Sequence, residues 1–199
     1  MSATRNPPSV ESIMPNYRRA KIPGALYFFT LVTYQRHHIF VDKGTISLLK
    51  RNFQRIRNDY PFSTEGIVVL PDHLHVLWSL PENDADFPLR WRLLKTLFTK
   101  EYLQDQDEPY LSSISRQRKG ERAVWQRRYW EHYIRDKADM RRHLEYIHYN
   151  PVKHGYTRRP SDWPWSSFHR YVDRGWYDET WGETEPEDLL LGCVGEAGG

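Results

Sequence analysis

The sequence predicts an α+β fold, with an antiparallel sheet, helices on one face of it and a helical extension toward the C-terminus. Three observations carry this. Short runs of aromatic and β-branched residues alternate with longer segments whose apolar residues recur every three or four positions. The strand-like runs come singly, then as a close pair, then singly again. A chain of 199 residues is long enough for one domain with a proper core and short for two.

Residues 1–15 are polar and contain Pro7, Pro8 and Pro15, the composition of a disordered lead-in. The main domain is expected over residues 16–172. Its first strand is ALYFFTLVTY, residues 25–34. Residues 44–59 place Ile46, Leu49, Phe53 and Ile56 on one face of a helix, and Pro61 marks its stop. Residues 64–70 and 73–80 read as two strands around Pro71 and Asp72. The first holds the continuous apolar run Ile67 to Leu70, as in a strand covered on both sides. In the second, His73, His75 and Leu77 alternate with Leu74, Val76 and Trp78. A second helix is expected over 86–103 from Leu89, Leu93, Leu97 and Tyr102, followed by a polar, basic stretch at 105–122.

Residues 123–134 form the candidate fourth strand, and residues 137–150 a third helix. Pro151 is expected to end that helix, because proline disfavours helical geometry in the residue before it. Gly155 suits the turn that follows. Residues 173–199 hold eight acids and one base, an acidic tail. The order strand, helix, strand, strand, helix, strand, helix is the split βαβ pattern of ferredoxin-like folds. Helices on one face of such a sheet would leave the other open to a ligand.

Without its tail the chain carries 28 bases and 18 acids, a net charge of +10. A basic body suits a polyanion such as nucleic acid. Cys193 has no second cysteine to pair with, and no apolar run approaches the roughly 20 residues of a membrane helix. A cytoplasmic, nucleoid-associated protein with no membrane partner is expected.

Two pairs of residues point to chemistry. His73 and His75 stand two apart on a predicted strand, so both imidazoles face one side and can reach one ion. Tyr146 and Asn150 stand four apart on a predicted helix, about one turn from each other. A tyrosine hydroxyl can attack phosphorus, and an amide oxygen can ligate a metal. Each pair also has a plain structural reading: histidines at this spacing occur often, and Tyr146 could pack in the core while Asn150 ends the helix. Tyr149 is a rival nucleophile, and His143 lies one turn before Tyr146. Nitrogen and oxygen donors without a thiolate fit Mg²⁺ or Mn²⁺ better than structural zinc.

The motifs resemble a known family. PDHLHVLW is similar to the histidine–hydrophobic–histidine segment of the HUH single-tyrosine transposases, and EYIHYNPVKHG to their tyrosine-bearing helix. NYRR, FPLRWRLLK, WQRRYWEHYIRD and SDWPWSSFHRYV resemble the REP-associated branch, which acts on repetitive extragenic palindromes. The likeness runs from about Asn16 to about Trp181. It implies a ferredoxin-like fold, Tyr146 as nucleophile and His73 and His75 as metal ligands. It also implies a 5′-phosphotyrosine intermediate formed on single-stranded hairpin DNA. Asn150 stands where many relatives carry glutamine as a third ligand. The likeness leaves a monomer or a homodimer as the expected assembly.

The expected DNA contacts are the segment Asn16, Tyr17, Arg18 and Arg19, then Arg90, Arg92 and Lys95, then Arg127 and Arg128. The aromatic residues among the last group, Trp125 and Tyr129, are expected to turn inward. A second reading is a non-cleaving ferredoxin-like module that binds nucleic acid; the two residue pairs favour the enzyme, since stacking on bases needs neither.

Overall fold

The computed structural model describes residues 21–104, 118, 122–186 and 189. In chain order these hold β1 (Leu26–Val32), α1 (Lys43–Asp59), β2 (Ser63–Val69), β3 (His73–Ser79), α2 (Phe87–Gln104), β4 (Trp130–Tyr133), α3 (Lys137–Lys153) and α4 (Phe168–Asp173). The expected lead-in at 1–15 and the segment Asn16 to Arg19 lie outside the described residues, as does most of the basic stretch after α2. Among the described residues, no helix is long and apolar enough to cross a membrane.

Local chemistry sets the helix starts. The Asp42 carboxylate accepts from the Thr45 backbone N–H at 2.8 Å and opens α1, and Asp136 does the same for Asp139 at α3. The sheet order is β2-β3-β1-β4 with every pair antiparallel, the ferredoxin-like arrangement that the element order predicts. The β1–β3 register sets Thr30 opposite His75 and Val32 opposite His73.

The pleat divides the core in two. Tyr27, Phe29, Leu31, Leu74, Val76 and Trp78 point to one face, where α1 and α2 cover them. Trp78 stacks on Trp91 of α2 with ring centroids 3.8 Å apart and planes 9° apart. Phe28, Val68 and Leu77 point to the other face, against Tyr146 and Ile147 of α3. That second face is therefore not open, as two helices on one side alone would leave it: α3 lies across it. Gly66 permits the approach, since a Cβ there would stand 2.8 Å from Leu144 Cδ1 and 3.2 Å from Ile147 Cδ1.

Two elements differ from their sequence reading. The fourth strand is confined to Trp130–Tyr133, with Trp125 forming only an isolated bridge to Thr33. Between them the Lys95 ammonium donates to the Gln126 carbonyl at 2.5 Å, so this stretch is held by α2. The third helix continues past Pro151 to Lys153. Proline so close to a helix end removes one hydrogen bond, and the turn beyond it is rebuilt: the His154 N–H donates to the Asn150 carbonyl, and Gly155 adopts φ +71°.

The packed body also runs beyond residue 172. Tyr177 stacks on Phe168 at 5.3 Å, and Gly182 sits against Pro160 and Tyr149.

Candidate active site

The site forms where β3 meets α3. His73 and His75 lie on the α3 face of the sheet, nearly inaccessible to solvent at 1% and 0% exposure, with ring centroids 4.9 Å apart. Each ring is held by its Nδ1. His73 Nδ1 donates to Asp72 Oδ1 at 2.5 Å, and the Arg36 guanidinium donates to Asp72 Oδ2 at 2.9 Å. Burial of Asp72 works to raise its pKa, but the hydrogen bonds and charges of His73 and Arg36 hold it well below the usual carboxylate range. His75 Nδ1 is hydrogen-bonded to Thr30 Oγ1 at 2.9 Å, across the β1–β3 pair. Phe28 stacks on His75 at 5.4 Å and closes the site from β1.

From α3, Tyr146 sets its ring edge-on to His75 with centroids 5.2 Å apart. Asn150, one turn later, is fully buried. The structure thus brings His73, His75 and Tyr146 together, with Asn150 one turn beyond Tyr146 on the same helix. Tyr149 lies apart from the histidines: its ring meets Trp181 at 6.5 Å, and burial raises its phenol pKa. Lys153, in the last turn of α3, donates to the Tyr146 hydroxyl at 3.3 Å.

The donor set fits a divalent cation. The Nε2 of His73 is buried with no hydrogen-bond partner among the described residues, and its Nδ1–H already serves Asp72. That leaves a lone pair on Nε2, with a carboxylate fixing the tautomer behind it, the arrangement common to metal-bound histidines. His75 Nε2 and Asn150 Oδ1 are buried as well. Imidazole and amide donors without sulfur suit Mg²⁺ or Mn²⁺.

A second group of ligand atoms, from His132, Asp139 and His143, lies within 4.8 Å of one another. These atoms already serve each other. Asp139 Oδ2 accepts from His132 Nε2 at 2.9 Å and from the Arg135 backbone N–H at 3.0 Å, and His143 Nδ1 donates to the Asp139 carbonyl at 2.8 Å. Burial holds the His143 pKa below its ordinary value, so this ring is neutral near pH 7. Two guanidiniums, Arg135 and Arg142, stand beside the carboxylate at 3.2 Å and 3.7 Å. A cation here would meet positive charge, so the cluster reads as a tie between β4 and α3.

The predicted DNA contacts divide. Arg92, Arg127 and Arg128 are exposed. Arg90 is not available for phosphate: it is 1% exposed and donates to Asp84 Oδ2 at 2.6 Å and to the carbonyls of Pro61, Asp86 and Tyr60. It pins the start of α2 to the α1–β2 loop. Lys95 is likewise engaged with the Gln126 and Arg127 carbonyls. Trp125 is buried and Tyr129 packs on the core, as expected.

Sequence reasoning did not find Asp72, Arg36, Thr30 or Lys153. Asp72 carries a readable signal, a carboxylate directly before the histidine pair; the others reach the site only through folding.

No family model matches the chain. It is 39% identical to a REP-associated tyrosine transposase of Escherichia coli, over 84% of this chain and 91% of that protein. A Haemophilus influenzae protein assigned to the same family is 44% identical, over 85% of this chain and 94% of its own length. The fold is similar to the solved structure of a REP-associated tyrosine transposase bound to a REP hairpin, with a TM-score of 0.71, 37% identity, and coverage of 88% of this chain and 97% of that one. Identity at this level, over nearly the full length of these relatives and on the same fold, places the chain in their family: it belongs to the REP-associated tyrosine transposases.

Proposed function

We propose that the protein cleaves and rejoins single-stranded DNA at hairpins of repetitive extragenic palindromes, with Tyr146 as the nucleophile. The observation that carries this reading is the meeting of Tyr146 with the histidine pair: its ring lies edge-on to His75 at 5.2 Å, with Asn150 one turn beyond. Support also comes from the family, one member of which was solved on a REP hairpin.

In cleavage the Tyr146 Oη–P bond forms and the P–O3′ bond breaks. The phenolic proton passes to solvent, and the departing 3′ oxygen takes up a proton as a free hydroxyl. The product is a 5′-phosphotyrosine. Attack of a 3′-hydroxyl on it reverses the step and joins strands, which a water nucleophile could not do. His73, His75 and Asn150 would hold Mg²⁺ or Mn²⁺, which when bound supplies Lewis-acid polarisation of a phosphate oxygen. Asp72 and Thr30 fix the two imidazoles, and Phe28 limits water beside them. Both residue pairs come from one chain, so a single copy holds a complete set. Exposed Arg92, Arg127 and Arg128 would track the phosphate backbone, with Asn16, Tyr17, Arg18 and Arg19 reading bases beside the hairpin.

A denaturing gel tests this on single-stranded hairpin oligonucleotides from extragenic palindromes of the source genome, with Mn²⁺ or Mg²⁺. The wild type is expected to form a covalent adduct that depends on the metal, and Tyr146→Phe to reduce it by more than about 10³-fold. An adduct that persists in Tyr146→Phe would move the chemistry to another residue such as Tyr149. Hairpin binding with no cleavage under either metal would favour a recognition module.

A further inference from the structure

We infer that Lys153 is a second electrophile of the reaction, an ammonium that holds the scissile phosphate against Tyr146. This rests on the reading of Tyr146 as nucleophile and adds a residue to it. Tyr146 and Lys153 stand seven positions apart on α3, close to two full turns, so they share a helix face. The Lys153 Nζ lies 3.3 Å from the Tyr146 hydroxyl and 4.8 Å from its ring centroid. The continuation of the helix past Pro151 is what carries Lys153 to this position; a helix ending at Asn150 would leave its direction unset.

Geometry then constrains what the ammonium meets. In-line attack needs phosphorus within roughly 3–3.5 Å of the tyrosine oxygen. A phosphate so placed brings its non-bridging oxygens within reach of a cation that already touches the attacking atom. Charge on those oxygens must be stabilised as the Tyr146 Oη–P bond forms and the P–O3′ bond breaks, and a preplaced N–H donor in a partly buried site does this with little rearrangement. A purely structural cation–π contact would be satisfied by the ring alone. The ammonium instead donates to the hydroxyl oxygen, the reacting atom.

Two arms test the assignment on the full chain. In the first, single-turnover adduct formation at saturating hairpin DNA is compared for wild type, Lys153→Gln and Lys153→Arg. Lys153→Gln is expected to slow it about 100-fold while hairpin Kd rises by no more than about tenfold, and Lys153→Arg to restore most of the rate. An unchanged rate in Lys153→Gln, or a rate loss matched by lost affinity, overturns the proposal. The thermal unfolding midpoint of each variant separates these results from a failure to fold.

The second arm does not depend on cleavage. On the Tyr146→Phe background, a neutral methylphosphonate is placed at each linkage flanking the hairpin in turn, and affinity is measured with Lys153 intact or replaced by Gln. One linkage is expected to lose about tenfold in affinity when Lys153 is present and to become insensitive in Lys153→Gln. Equal losses in both backgrounds overturn the contact. Should the wild type form no Tyr146 adduct, the nucleophile reading fails, and this arm still decides whether Lys153 holds a phosphate.

Discussion

The two faces of the sheet are built from the same strands and serve opposite ends. On the face covered by α1 and α2, β3 presents Leu74, Val76 and Trp78 to a cluster of apolar and aromatic side chains. On the face covered by α3, the alternate residues of the same strand are His73, His75 and Leu77, and the helix answers with Tyr146 and Asn150. The first face gains from removing apolar surface from water, with about 1.5–3 kcal/mol for each large side chain fully buried. The second buries polar atoms that cost free energy unless partnered, and it supplies those partners from outside the strand: Asp72 and Arg36 for His73, Thr30 for His75. A period of two thus lets one strand be both scaffold and candidate site, provided the scaffold face carries the stability.

If that division holds, neighbouring substitutions should have opposite phenotypes. Trp91→Ala is expected to show the largest effect, a loss of about 3–5 kcal/mol in urea unfolding, because it empties the stack on Trp78. Adduct formation should fall only in proportion to the folded fraction. His73→Ala should reverse the pattern: cooperative unfolding with a smaller loss of stability, and metal-dependent adduct formation lowered by on the order of 10²–10³-fold. Equal effects of the two substitutions on stability would break the comparison.

Asp72→Asn sharpens it with a smaller effect. The carboxylate fixes the His73 tautomer and adds basicity to its Nε2, so its loss should raise the metal concentration for half-maximal adduct formation about 10–100-fold. Saturating Mn²⁺ should recover most of the rate. A variant that stays slow at every metal concentration would show that Asp72 acts elsewhere than through the ligand.

Much of this arrangement is legible in the sequence, and the parts that are not share a cause. Period two on residues 73–80 puts His73 and His75 on one side, and a spacing of four joins Tyr146 to Asn150; both follow from local geometry. The order of elements gives the sheet topology. Arg90 shows the limit: on a helix it looks like a phosphate contact, but the α1–β2 loop folds over it and takes its donors. Lys95 is diverted by the carbonyls of a segment 31 residues away. The length of β4 and the partners Arg36 and Lys153 likewise depend on chain segments meeting in space, which no periodicity records.

The most gradual effect expected is in pH dependence, and it comes from the α3 face away from the histidine pair. His148 is fully buried among Phe168, Tyr171 and Tyr177, with Nε2 hydrogen-bonded to Ser167 Oγ at 2.8 Å. Burial, with smaller contributions from the positive charges of Arg170 and His169, lowers its pKa to about 3. The folded protein therefore keeps this ring neutral, while the unfolded chain protonates it near pH 6.5. Between those values the unfolded state binds the extra proton, so stability falls as pH falls, by at most about 1.4 kcal/mol per pH unit from this group. The contribution is complete above pH 6.5 and progressively lost toward pH 3. His148→Phe places a non-titrating ring in the same aromatic surroundings. Its urea midpoint should decline less steeply than that of the wild type between pH 6.5 and 4; parallel curves would mean that the ring is protonated in the folded state, and that this part of the α3 face tolerates charge.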